Sequence, residues 1–120
     1  MVRVSPATAT SSRDLPHPAR GDIRLQALLH ALSDPMRLQI VRELAADGDE
    51  LSCSHFDLPV TKSTTTHHFR VLREAGVIRQ IYRGTAKMNA LRRDDLDDLF
   101  PGLLDALLAA AARQAARLGG

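Results

Sequence analysis

From Asp22 onward, apolar residues return every three or four positions, at Ile23, Leu25, Leu28, Leu29 and Leu32, which predicts an amphipathic helix ending near Ser33. Asp34 followed by Pro35 reads as an N-cap and a first helical position. A second helix therefore starts at once, with Met36, Ile40, Val41 and Leu44 as its buried stripe and Gly48 near its end. A short third helix from about Ser52 to Phe56 runs into Leu58-Pro59-Val60, where the residue before proline resists helical geometry. Thr61 is placed to cap a fourth helix from Lys62 to about Ala75, and Gly76 supplies its stop. Next, Val77 to Tyr82 is β-prone, Arg83-Gly84-Thr85 reads as a turn, and Ala86 to Leu91 returns as a second strand. Asp94 to Phe100 forms a brief acidic helix, and Pro101 opens a last one through Leu118. The fold class is mainly α with a small β-hairpin, in the order that defines a winged helix-turn-helix.

The ends of the chain depart from this regularity in different ways. Residues 1–20 are rich in Ser, Thr, Ala and Pro and carry no sustained apolar period, so they are expected to form a disordered arm ahead of a domain over 21–120. The last helix has the opposite excess. Leu103, Leu104, Leu107, Leu108, Ala111 and Ala115 make an apolar face that is long for a chain end. This face covers the chain's own core or a second copy of it. The second is the expectation, with Ile23 and Leu28 of the first helix completing a dimer interface.

Composition adds two constraints. With 3% aromatic residues and no Trp, the core falls to Leu, Ile, Val, Ala and Met, which suits packed helices. The single cysteine, Cys53, excludes an internal disulfide and a thiolate-rich zinc site within one chain. It also fits a reducing cytoplasm. No apolar run reaches the roughly 20 residues that span a bilayer, so a soluble cytoplasmic protein without a membrane partner is expected.

Net charge is only +2, but the signs are sorted along the chain. From Pro59 to Arg93, eight basic residues stand against one acid, Glu74, for a net +7, whereas Gly21 to Leu58 carries −4 and Asp94 to Asp105 carries −5. A polyanion partner would meet the basic block. Within it, Thr65, Phe69 and Leu72 of the fourth helix share one face, and the opposite face presents Lys62, Ser63, Thr66, His67 and Arg70. Short hydroxyls and donors of this kind can approach base edges, with cations at both ends for phosphates. His67 and His68 point about 100° apart on a helix, which leaves His67 on the polar face and turns His68 toward packing.

Three segments carry a resemblance to a known family. "ALSDPMRLQIVREL" (31–44), "LPVTKSTTTHHFRVLREAGVI" (58–78) and the hairpin "RQIYRGTAKMNAL" (79–91), with "LFPGLLDALL" (99–108), resemble the ArsR-type winged-helix repressors. The resemblance implies a homodimer joined by first and last helices, sitting on palindromic double-stranded DNA and leaving it when a small-molecule or metal effector binds. By it, Lys62, Ser63, Thr64, Thr66, His67 and Arg70 would contact the major groove, and Arg83, Thr85 and Lys87 would contact DNA from the wing. Repression follows from this resemblance and from the lack of any further domain, and activation stays open.

The sequence departs from the family's metal-sensing patterns. Cys53-Ser54-His55 offers one thiol and one imidazole where a metal needs three or four ligands, and the last helix holds no His or Cys. Cys53 and His55 are thus the metal candidates, and they would need further ligands from His30, His17 or a second subunit, so no metal site and no cofactor is expected. An enzyme is not expected either, since Cys53, His55 and Asp57 alternate along a short helix and do not converge. The competing reading is a winged-helix module for protein contact or non-specific nucleoid binding, which a specificity ratio on DNA would separate.

Overall fold

The structure is a computed structural model that describes residues 12–119. Its elements run β1 (Ser12–Asp14), a 3-10 turn (Arg20–Asp22), α1 (Leu25–Leu32), α2 (Pro35–Asp47), β2 (Leu51–Ser52) and a 3-10 turn (Cys53–His55). They continue with α3 (Lys62–Glu74), β3 (Ile78–Arg83), β4 (Ala86–Leu91), α4 (Arg93–Leu99) and α5 (Leu103–Arg117). The winged helix-turn-helix expected from the pattern is the architecture observed. One core of Leu28, Ile40, Val41, Leu44, Phe69, Leu72, Val77, Ile78, Leu96 and Leu104 binds the helices to one side of the hairpin.

Local signals place the helix ends. Asp34 caps α2, its carboxylate accepting from the backbone N–H of Met36 at 2.8 Å and of Arg37 at 3.1 Å. Thr61 caps α3 by accepting from Thr64 N–H. Gly76 ends the chain's run through α3 in a left-handed conformation, φ +83°, which turns it directly into β3.

Other boundaries differ. The expected third helix is a single 3-10 turn, because the chain is held in strand pairing through Ser52 and meets Pro59 soon after. Pro101 does not open the last helix. It lies in a turn with Gly102, whose φ of +79° breaks the backbone before Leu103. In α2 the buried position assigned to Met36 belongs to Arg37, and Met36 is half-buried.

The hairpin is the centre of a four-stranded antiparallel sheet ordered β1-β3-β4-β2. β1 corrects the expected arm. Ser12 to Asp14 pair with Ile81 to Arg83, Leu15 N–H donates to the Gln80 carbonyl at 2.9 Å, and Asp14 meets Arg79 at 2.7 Å. Further on, Arg92 donates to the Pro18 carbonyl at 2.7 Å, and Arg20 pairs with Asp98. Backbone pairing and ion pairs order this segment with little apolar burial, so a test of hydrophobic content does not detect it. The remainder of the expected arm, residues 1–11, lies outside the described residues.

Burial alone would push the Asp34 carboxyl up. The N–H bonds from Arg37 and Met36, together with the nearby His68 and Arg37 side chains, outweigh that and hold it below the ordinary carboxylate range. A lowered value means that the cap's contribution is complete above the ordinary range and is lost as pH falls through the lowered one. Asp34→Ala should therefore reduce unfolding free energy by about 1 kcal/mol at pH 7. In urea titrations the gap from wild type should narrow by pH 3.

Candidate nucleic-acid interface

Helix α3 has two faces, as its spacing predicts. Phe69 and Leu72 are buried, while Lys62, Ser63, Thr66, His67 and Arg70 are exposed in one row. Thr64 is half-buried, with its hydroxyl bonded to that of Thr61 at 2.9 Å. Thr65 returns a hydroxyl bond to the Thr61 carbonyl at 3.1 Å. The first turn is thus fixed from within.

The two histidines part company. Arg70 Nη2 lies 3.2 Å from His67 Nδ1, and a guanidinium can only donate, so Nδ1 accepts and the proton sits on Nε2. That leaves a ring donor on the exposed face, suited to a purine acceptor. His68 is buried. Its Nδ1 faces Arg37 Nη1 at 3.3 Å, while Arg37 Nε donates to the Ala31 carbonyl at 2.7 Å. Arg37 therefore ties the last turn of α1 to the middle of α3, and the Asp-Pro-x-Arg segment sets where α3 sits. The sequence reading missed this role. A charged residue two places after the proline that opens α2, with a histidine pair downstream, is its only signal.

The wing is closed by Gly84-Thr85, with Arg83 opposite Ala86. Thr85 is exposed, and Lys87 lies on the α3 side with Nζ 5.8 Å from the Tyr82 ring centre. Arg83 points to the other face of the sheet. Its Nε and Nη2 both bond Glu50, each at 2.7 Å. Hydrogen bonding from Arg83 outweighs burial and holds the Glu50 carboxyl below its ordinary range. One residue proposed for DNA is therefore already engaged by an acid of the same chain.

Between the N-terminal half of α3 and the wing runs a cleft of about 490 Å³, lined among others by Cys53, Lys62, Thr65, Phe69, Tyr82 and Lys87 and by no carboxylate. Its cations come from both candidate DNA-contacting elements. The two metal candidates go to different neighbours: Cys53 Sγ lies 3.2 Å from Asn89 Nδ2, and His55 Nε2 lies 3.5 Å from Glu43. Among the described residues, no three His, Cys, Asp or Glu side chains gather at one point. No helix among them is long and apolar enough to cross a membrane.

The expected dimer residues divide. Ile23, which lies just before α1 and not in it, and Leu28, Leu104 and Ala111 are buried within the single chain, all but Ala111 in its main core, because the entry to α1, α1 and the first half of α5 pack inward. Ile23, Leu28 and Leu104 thus serve the core of the single chain, while Ala111 borders the outer apolar surface with Ala115 and Leu118. Leu103, Leu107 and Leu108 are partly buried against the core, and Ala115 is half-exposed. The apolar surface that remains includes Leu25 at 40%, Leu29 at 43% and Leu118 at 72% exposure, which the periodicity assigned to helices without separating inner from outer positions.

Comparison with known proteins agrees with this geometry. Residues 32–81, from the end of α1 into β3, match the family model of a helix-turn-helix domain. An uncharacterized HTH-type transcriptional regulator of Bacillus subtilis, YceK, is 39% identical over 87 residues, covering 71% of this chain and 86% of that protein. A second such regulator, MJ1325 of Methanocaldococcus jannaschii, is 34% identical over 59 residues, covering 48% of this chain and 66% of that protein.

Proposed function

The chain belongs to the helix-turn-helix transcriptional regulators, and within them we propose that it is an ArsR-type winged-helix repressor, binding a palindromic operator as a homodimer and leaving it when an effector binds. The observation that carries this reading is the exposed row Lys62, Ser63, Thr66, His67 and Arg70 on a capped helix, beside a basic wing and a cleft without acids. In this reading the row enters the major groove, joined by Thr64 where the groove wall is close. Arg83, Thr85 and Lys87 meet phosphates from the wing. The dimer is supported by the outward apolar positions of α1 and α5, with Leu103, Leu107, Leu108 and Ala115 beside them. A cytoplasmic location follows from the DNA partner.

Base-reading and phosphate-holding residues differ in how their loss is felt. His67→Ala should flatten the discrimination between operator and random duplex. Arg83→Ala should weaken both alike and reduce the salt slope by about one phosphate's share. Equal effects from the two would contradict this division. Glu50→Gln has the opposite sign. Freed from its carboxylate, Arg83 reaches phosphate at less cost, so affinity for every duplex rises a few-fold in fluorescence anisotropy titrations.

A further inference from the structure

Gln80 on β3 and Asn89 on β4 are fully buried amides directly opposite each other in the hairpin. An apolar pair would fill this position without the penalty of burying amides, so their presence requires complete hydrogen bonding. They have it in one direction. Arg73 Nη1, near the end of α3, donates to Gln80 Oε1 at 2.6 Å. Gln80 Nε2 donates to Asn89 Oδ1 at 2.8 Å. Asn89 Nδ2 donates to the Leu51 carbonyl at 3.1 Å and lies 3.2 Å from Cys53 Sγ. A guanidinium has no acceptor, so the first bond fixes the Gln80 amide and Gln80 then fixes Asn89. Turning either amide over would set donor against donor.

The relay joins three parts: the end of α3, the hairpin, and the segment that opens the 3-10 turn ahead of α3. Arg73 lies three residues beyond Arg70 on the same stripe of α3, yet its guanidinium turns inward to Gln80. We propose that Gln80 and Asn89 are positioning residues that, through Arg73, lock the wing to the recognition helix at one angle and so set how sharply the protein discriminates between DNA sequences. This rests on the reading of α3 and the wing as the DNA-contacting elements. Two readers held at a fixed angle fit one duplex geometry, whereas a wing free to swing keeps its phosphate contacts and loses the register of base contacts.

Arg73→Met breaks the first bond at a half-buried site and leaves the hairpin core intact. Affinity for an operator selected from random duplexes should fall about tenfold, with affinity for unrelated duplex and the salt slope unchanged. Equal losses on both duplexes, with a slope smaller by about one, would make Arg73 a phosphate contact and overturn the proposal. Unchanged binding to both would overturn it as well. A second variant reads the relay without DNA. In the free protein, Asn89→Leu should speed Cys53 alkylation by iodoacetamide at fixed pH several-fold, because the segment loses the amide that bonds the Leu51 carbonyl and Cys53 Sγ, keeps only Gln80 Nε2 at 4.0 Å from the sulfur, and loosens from the hairpin. An unchanged rate would show that the relay does not hold this segment and would overturn the proposal. A raised rate in a protein whose wild type does not distinguish duplexes would instead remove the regulator reading, and the role in discrimination with it.

Discussion

Gly76→Ala should lower the unfolding free energy by about 3 kcal/mol, the sum of a left-handed backbone penalty and overpacking of a filled core. Gly76 has φ +83°, and a Cβ there would lie 2.5 Å from Ile23 Cγ1 and 2.8 Å from its Cδ1. Ile23 is itself 7% exposed, so its side chain has little room to yield. The turn it closes converts α3 into β3. Strain there acts on the joint between α3 and the wing as well as on the core. Urea unfolding of the purified variant measures the loss, and in an Ile23→Ala background the same glycine substitution should cost less, because the obstructing atoms are gone. A Gly76→Ala protein as stable as wild type would show that the close approach is not a constraint.

The proposed dimer gives the second large effect. Leu25 and Leu29 lie one turn apart on the outer face of α1 and are 40% and 43% exposed, so charging them leaves the single chain's core untouched. Leu25→Glu combined with Leu29→Glu should give a folded monomer of about 13.1 kDa by light scattering, with the helical content of wild type by circular dichroism and a melting temperature that no longer depends on protein concentration. Its affinity for a palindromic site should fall by at least about a hundredfold, since two half-sites no longer bind as one ligand. Its affinity for random duplex should change far less. A variant that remains dimeric would place the interface elsewhere.

Much of this architecture is legible in the sequence because it is written in local chemistry. Asp34-Pro35, Thr61 and Gly76 each satisfy or end a helix by contacts within a few residues, and all three stand where the pattern places them. The polar row of α3 is equally local, since helical spacing alone separates it from Phe69 and Leu72. What the pattern does not carry is long-range pairing. β1 and β2 are three and two residues long, too short for any period, and each exists only because a hairpin edge accepts it. Arg83 illustrates the same limit from the site's side. Its place in a basic hairpin is readable, but its bidentate pair with Glu50, 33 residues earlier in the chain, is a tertiary fact. So is the burial of Gln80, Asn89 and Arg37, polar residues whose partners come from other elements. The apolar positions of α1 and α5 were found as a set. Dividing them between core and outer surface required the packing of the whole chain.

The central claim is that this regulator reads a palindromic sequence. It is tested most directly by incubating the purified, metal-free protein with a library of random duplexes at about 150 mM salt, where non-specific phosphate binding is screened, and sequencing the DNA retained. Enrichment of one palindrome, lost in His67→Ala, is the predicted result. Retention without enrichment, or no retention, would contradict it and leave a winged helix that holds DNA by its backbone alone or contacts another protein.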